Sequence, residues 1–408
     1  MTTNDSYYSP SSNFNQQSGG KSSFMGMLLE RFGSEDKVVE FLKKDIENNP
    51  IDGRLNLQVV LNLAGREEEA FAICEELMRL APADPRVMFN SGWHWIHRGQ
   101  LHRGLTLLEA GREIGVYGSP RLKSSRPIWN RHAGYGQRVH LYLEAGMGDE
   151  IIYFRFGKDL VEKYGCKVTV ICRLSLAPLF AREKWVSAVL QVEAALGVYH
   201  DSWLPGMSAA QALGYEIGDI SGAPYLTASD EKKHKWGQIL NMGGRKKTLN
   251  VGLRWAGNPD FEHQQFRVFP PETVLDLAKN FGDSNVQFYS FQKESTVKNL
   301  PEGVVDIAPW LMDWDETAAA MKNMDLIITS CTSVAHASAA LGITTWVIVP
   351  ALPYYVWALH GNKSPWYGSV TLIRQKKFGC WKGVQEEVQS KFAEFVKTAL
   401  FSSDKGNN

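Results

Sequence analysis

From Glu35 to Val116, apolar residues recur every three to four positions, the spacing of helices that each bury one stripe. From Val139 onward the pattern changes to short, β-branched apolar runs separated by helical segments. Strands are expected at 139–143, 167–172, 189–192 and 201–204. A second series is expected at 248–255, 286–291, 303–307, 325–330, 344–349 and 370–374. Apolar strands alternating with helices imply parallel sheets covered on both faces. The polar stretch Ser229 to Thr248 separates the two series. The chain therefore reads as an α/β protein with two Rossmann-like domains, over 138–230 and 248–400, and a cleft between them.

The helical stretch, 25–117, carries an internal repeat. Pro50 and Pro82, which end successive helices, lie 32 residues apart, and Ala64-Gly-Arg-Glu-Glu-Glu-Ala70 recurs as Arg98-Gly-Gln-Leu-His-Arg-Gly104, 34 residues on. With small residues at Ala70, Gly92 and Gly104, this period resembles tetratricopeptide repeats, helical hairpins that bury their apolar faces on one another. Two repeats and a leading helix at Glu35 to Asn48 make a small array. It suits a protein-binding groove, or a spacer or self-association block. Residues 1–24, rich in Ser, Asn, Gln and Gly, are expected to form a disordered tail.

Composition narrows the classes. Lys plus Arg balances Asp plus Glu at 44 each, so no overall field favours nucleic acid or a membrane surface. The five cysteines form no Cys-x-x-Cys pair, which argues against a disulfide framework or zinc knuckle and for a reducing compartment. No apolar run approaches the roughly 18 residues of a membrane span, and the N-terminus lacks a secretory pattern. A cytoplasmic protein is expected.

Candidate chemistry concentrates where strands meet helices. The run Val139 to Leu143 leads into Gly146-Met-Gly-Asp149, a strand, a tight turn and a helix start. Gly146 and Gly148 are expected to let the backbone pass close to a ligand. Asp149 falls at the C-terminal edge of the sheet, where open α/β domains bind ligands. Its carboxylate suits a general base on a bound hydroxyl, or simply a helix cap. In the second half, Val251-Gly-Leu-Arg-Trp-Ala-Gly-Asn-Pro259 is expected to expose Trp255 and Asn258. Arg267 follows, suited to clamp a phosphate or to lie on the surface. Met324 to Gly342 places a buried strand before a helix of small residues opening at Ser333. Its free N–H groups, with the Thr332 and Ser333 hydroxyls, make either an anion site or a capped helix start. His336 suits ligand contact or core packing equally, and Cys331 suits packing.

These motifs, in this order, resemble the bacterial tetratricopeptide-repeat glycosyltransferases related to the heptosyltransferases. The resemblance rests on Gly146-Met-Gly-Asp149, Gly252-Leu-Arg-Trp-Ala-Gly-Asn-Pro259, Asp313-Trp-Asp-Glu-Thr-Ala-Ala319 and Asp325-Leu-Ile-Ile328. It continues through Thr332-Ser-Val-Ala-His336, Ala340-Leu-Gly342, Ser364-Pro-Trp-Tyr367 and Leu372-Ile-Arg-Gln375, and covers about residues 35 to 390. It implies a GT-B fold and inverting transfer of a sugar from a nucleotide-sugar donor to an acceptor hydroxyl, with no metal and no further cofactor. Asp149 would be the base. Trp255, Asn258, Arg267, Gln292, Thr332, Ser333 and His336 would line the donor site, and the acceptor would be a protein or a glycan. Three places depart from the family. Cys331 stands where an acid is usual, Tyr354-Tyr-Val-Trp357 replaces Asp-Trp-Arg-Trp, and Gln264-Gln-Phe-Arg-Val268 keeps only the arginine of Asp-x-x-Arg-Ser. Those departures also fit a second reading, an inert scaffold or binding protein on the same fold. A sugar-nucleotide epimerase is a third reading, without a second carboxylate near the Asp149 loop.

Overall fold

The computed structural model describes Leu28 and residues 31–118, 122–241, 249–258, 267–282, 285–294 and 299–404. The expected tail at 1–24, Pro259 and Gln264 to Phe266 lie outside them. The helical part includes α1 (Glu35–Asp45), α2 (Asp52–Leu63), α3 (Glu67–Leu80), α4 (Pro85–His97) and α5 (Leu101–Leu108). Two of their starts are capped by residues the sequence supplies. The Ser34 hydroxyl accepts from the Lys37 N–H, and the Asp84 carboxylate accepts from the Arg86 N–H behind Pro85, the first residue of α4. The hairpin α4–α5 is close-packed through glycine. A Cβ on Gly92 would lie 2.7 Å from the Gly104 carbonyl oxygen, and one on Gly104 would lie 2.4 Å from Ile96 Cγ1. The expected helical hairpins are present.

The next part is β1 (Arg138–Tyr142), α6 (Met147–Tyr164), β2 (Lys167–Ile171), β3 (Val186–Leu190), β4 (Ser202–Pro205) and α7 (Ala209–Leu213). The strands form a parallel sheet in the order β3-β2-β1-β4, with Leu141 opposite Val170 and Leu204. The strand β3 starts and ends earlier than the expected 189–192. At the sheet edge, every one of its positions is half-buried or exposed, which blurs the apolar run that marks a central strand.

After α8 (Asp230–Asn241) come β5 (Leu249–Arg254), α9 (Glu272–Phe281), β6 (Val286–Ser290), β7 (Val304–Asp306), α10 (Trp314–Met321), β8 (Leu326–Ser330), α11 (Ser333–Ala340), β9 (Thr345–Val349), β10 (Val370–Arg374) and α12 (Lys382–Asp404). These strands form a second parallel sheet, β10-β9-β8-β5-β6-β7. The two central strands, β5 and β8, are almost wholly buried because helices cover both faces. The chain is thus α/β with two parallel sheets.

The parts share one interior. A single apolar core runs from Phe89 and Leu105 of the helices, through Val139 and Ile152 of the first sheet layer, to Ile327, Val334 and Tyr355 of the second half. The opposite face of the second sheet packs separately, with Val251, Phe288 and Ile348 against Val388 and Phe392 of α12. The helical region therefore joins the body: the Trp93 ring lies 5.8 Å from that of Tyr354 and 5.9 Å from that of Tyr355. Among the described residues, no helix is long and apolar enough to cross a membrane.

Candidate functional site

The start of α6 meets the start of α11 across the seam between the sheets. A Cβ on Gly148 would sit 3.1 Å from His336 Cδ2 and 3.4 Å from Ser333 Cα. Gly146 is equally pressed, because a Cβ there would lie 3.0 Å from Asp149 Oδ2. Both glycines thus sit in close contact with protein groups, where a Cβ would press on a neighbour. The turn itself corrects the expectation of glycine-specific backbone. Gly146 has φ −85°, and the left-handed residue is Ala145, with φ 65°. A left-handed non-glycine residue costs of order 1–2 kcal/mol. The Arg173 guanidinium braces it, donating from Nη2 to the Ala145 carbonyl at 2.5 Å.

Both carboxylate oxygens of Asp149 are engaged. Oδ2 accepts from the Gly146 N–H at 2.9 Å, so the residue does cap its own helix. Oδ1 accepts from the Tyr354 hydroxyl at 2.8 Å, a contact from the other half of the molecule. The Tyr354 hydroxyl is also 3.0 Å from that of Tyr153, which is 2.5 Å from that of Tyr355. Burial lifts the Asp149 carboxyl above its ordinary value, while the Tyr354 bond, the Gly146 N–H and the field of Arg267 pull it back. Each carboxylate oxygen keeps a second lone pair, so the group retains capacity to take a proton.

On the facing side, Thr332 is the N-cap residue of α11 but its side chain makes no capping bond. Its hydroxyl is buried and without a hydrogen-bond partner among the described residues. Capping therefore does not account for Thr332. Arg267 reaches the same place, donating from Nη1 to the Cys331 carbonyl at 3.4 Å, with Nη2 over Gly257, where a Cβ would lie 2.5 Å away. Burial lowers the arginine's proton affinity, and nearby Cys331 and Asp149 oppose that. Cys331 is half-buried and burial raises its thiol, which keeps it protonated at neutral pH. His336 is a packed histidine. It is 4% exposed, stacked on Trp357 at 4.9 Å, and its Nδ1 is 3.0 Å from the Tyr367 hydroxyl. Burial, reinforced by the fields of Arg155 and Arg267, lowers its pKa to about 3, so it is neutral.

Two expected donor residues are used otherwise. Trp255 is 1% exposed, which corrects the expectation that it stands open at the sheet edge; its ring completes the core of the second sheet. Gln292 is buried, and its amide oxygen accepts the N–H groups of Trp255 and Ala256, at 3.2 and 2.9 Å. It fixes the loop after β5. Asn258, at the end of that loop, is exposed.

Several groups at the seam escaped sequence reasoning. Tyr354 attracted notice only as a departure from a pattern, and nothing local links it to Asp149. Glu150 looks like one more acid in a first turn. It is 2% exposed, accepts from the Arg173 N–H at 3.0 Å and pairs with the Arg173 guanidinium; burial raises its pKa to about 7 against that arginine. Arg155 of α6, 8% exposed, donates to the carbonyls of Ser221 and Trp366 at 3.1 and 2.8 Å. It lies 4.3 Å from the Tyr225 ring and 4.6 Å from that of Tyr367. The segment carrying Ser221 and Tyr225 is itself fixed to the second half, where the Tyr225 N–H donates to the Ala340 carbonyl at 2.9 Å. Among the described residues, no three His, Cys, Asp or Glu side chains group in a way that would hold a metal ion.

No protein-family model matches the chain. Protein FlbA of Caulobacter vibrioides (strain ATCC 19089 / CIP 103742 / CB 15) is 24% identical over 372 residues, which is 81% of this chain and 59% of FlbA. The chain thus spans well under two thirds of the length of that relative. Among solved structures, a glycosyl transferase family 9 protein from Veillonella parvula is similar with a TM-score of 0.49. It is 12% identical, over 64% of this chain and 97% of that one. The E. coli ADP-heptose lipopolysaccharide heptosyltransferase II is similar with a TM-score of 0.48, at 13% identity over 65% of this chain and 99% of that one.

Proposed function

We propose that the chain is an inverting glycosyltransferase of GT-B architecture, moving a sugar from a nucleotide-sugar donor to an acceptor hydroxyl without a metal. The observation that carries this reading is the seam. A carboxylate on the first turn of a helix after β1 sits beside the start of a second helix after β8, whose first turn carries an unengaged hydroxyl and a nearby arginine. One side accepts a proton and the other receives a negative charge. In the proposed reaction Asp149 takes the acceptor proton as the acceptor oxygen bonds to the anomeric carbon. The bond to the nucleoside diphosphate breaks with its electron pair moving to the leaving oxygen. The amides of Ser333 and its neighbours, the Thr332 hydroxyl and Arg267 would meet that charge. Gly146 and Gly148 keep the two helix starts close. Gln292 and Trp255 would act through the shape of the β5 loop, Asn258 at its open end, and His336 through packing under α11.

The helices would be a tetratricopeptide-type array acting as a brace, since α1–α3 bury their apolar faces largely on one another while α4 and α5 join the core of the sheets. The domain limits would be 25–117, 138–230 and 248–400, and the protein cytoplasmic, with a protein or glycan acceptor. The test is turnover with a panel of nucleotide sugars, measured as donor hydrolysis and as transfer. Asp149→Asn is expected to lower kcat by roughly 10²–10⁴-fold while leaving nucleotide-induced stabilisation intact. Turnover equal to the wild type would remove Asp149 from the chemistry. Silence of the wild type with every donor, and no stabilisation by UDP, GDP or ADP, would leave the scaffold reading.

A further inference from the structure

Asp149 and Tyr153 are four positions apart in α6, so their side chains stand one turn apart on the same helix face. Tyr354 and Tyr355 come from the loop between β9 and β10 and meet that face as adjacent rings, their centroids 4.7 Å apart. Three contacts join these four groups in a row. The Tyr355 and Tyr153 hydroxyls are 2.5 Å apart, those of Tyr153 and Tyr354 are 3.0 Å apart, and the Tyr354 hydroxyl is 2.8 Å from Asp149 Oδ1. The rings are held from outside. A Cβ on Gly206 would lie 3.1 Å from Tyr153 Cβ, Trp366 packs edge-on to Tyr355 at 5.7 Å, and Trp93 of α4 lies against both loop tyrosines. Tyr153 and Tyr355 are each 1% exposed.

Counting protons gives the row a direction. Each hydroxyl has one proton to give, and an ionised carboxylate has none. The Tyr354 proton therefore goes to Asp149, Tyr153 must donate to Tyr354, and Tyr355 in turn to Tyr153. Each bond polarises the next, so a donor further back strengthens the one that touches the carboxylate. The opposite order needs a proton on Asp149 Oδ1 and turns the Tyr355 proton outward. Among the described residues no carbonyl or carboxylate is placed to accept that proton, and burial keeps water from it. The row thus favours the charged carboxylate and hands no proton onward.

We propose that Tyr153 and Tyr355 are positioning residues for the base, forming with Tyr354 a one-way row of hydroxyls that aims its protons at Asp149 and holds it ionised. This rests on Asp149 being the base, yet its test needs no turnover. The Asp149 carboxyl is titrated by carbon NMR on the full chain labelled at aspartate Cγ, its signal assigned by its loss in Asp149→Asn. Tyr153→Phe is expected to raise the titration midpoint by about 0.3 pH unit, a cooperative fraction of the direct bond, and Tyr355→Phe to raise it by less. In a Tyr354→Phe background, Tyr153→Phe should add nothing, because its effect passes through Tyr354. A ring-fluorinated tyrosine in place of Tyr153, a stronger donor of nearly the same shape, should lower the midpoint; if Tyr153→Phe does not fold, this variant decides alone. A merely structural role would not give opposite signs. The proposal is overturned if Tyr153→Phe leaves the midpoint unmoved or lowers it, if its shift is the same with and without the Tyr354 hydroxyl, or if fluorination fails to lower it. A wild type silent with every donor would remove the enzymatic reading, and the titrations would still decide the row.

Discussion

Asp149 shows how one side chain can serve as a cap and remain available. Its Oδ2 closes the first turn of α6, and its Oδ1 is held by a hydroxyl from a loop some two hundred positions further along the chain. That hydroxyl favours the ionised form. Removing it in Tyr354→Phe should raise the carboxyl's pKa, and the acid limb of the pH–rate profile should move to higher pH by about one unit, because a hydrogen bond to a charged group is worth about 1.5–3 kcal/mol. Donor KM should stay near the wild-type value. An unmoved acid limb would show that Tyr354 has no part in setting the base. Ala145 offers a second test. It holds φ 65°, so Ala145→Gly relieves strain that the loss of chain entropy only partly offsets. A gain of about 0.5–1 kcal/mol is expected in denaturant unfolding.

Between elements, the α4–α5 hairpin carries a sharper constraint than its periodicity suggests. The recurring glycines at 92 and 104 face each other across the crossing, with no room for a methyl group on either. Gly104→Ala should destabilise by about 1–3 kcal/mol through overpacking, seen as a lower Tm and as faster proteolysis of the helical part. The elements themselves were largely legible. Each of the ten expected strands overlaps one observed among the described residues, β3 with shifted ends, because β-branched apolar runs between helical patterns have few other physical outcomes. The turn–helix starts at Asp149 and Ser333 were legible for the same reason. Illegible were the partners that meet only through the fold. Tyr354 on Asp149 and Trp93 on Tyr355 are set by how three packed layers come together, and no local period encodes that. Trp255 was misjudged because a residue one step past a strand reads as exposed, while the second core closes over it.

At the scale of the molecule, burial holds four histidines neutral among the described residues: His94, His97, His140 and His336. It lowers their pKa values to about 3, 4, 4 and 3, from 6.5. Between those values and 6.5 the unfolded chain binds more protons than the folded one, so acid favours unfolding there. Each imidazole contributes up to about 1.4 kcal/mol per pH unit. Asp149, whose carboxyl is raised, works in the opposite direction. Denaturant unfolding at pH 7, 6 and 5 should show stability falling with pH. His140→Phe should flatten that slope, since neither ring nitrogen of His140 has a partner among the described residues to lose. A slope unchanged by this substitution would exclude His140 from the effect.

Arg155 has a consequence for how the seam admits anything at all. Its charge is met by carbonyl dipoles and aromatic faces from both halves, Ile152, Ser221 and Tyr225 from the first and Trp366 and Tyr367 from the second, and among the described residues no carboxylate is a hydrogen-bond partner. Swinging the two sheets apart would strip that cation of its surroundings before water could replace them. The halves are therefore expected to move as one body, with solvent reaching Asp149 where the short connections around the seam yield. The amide hydrogens of α6 should exchange as slowly as those of β8, and those of the Tyr354 loop much faster.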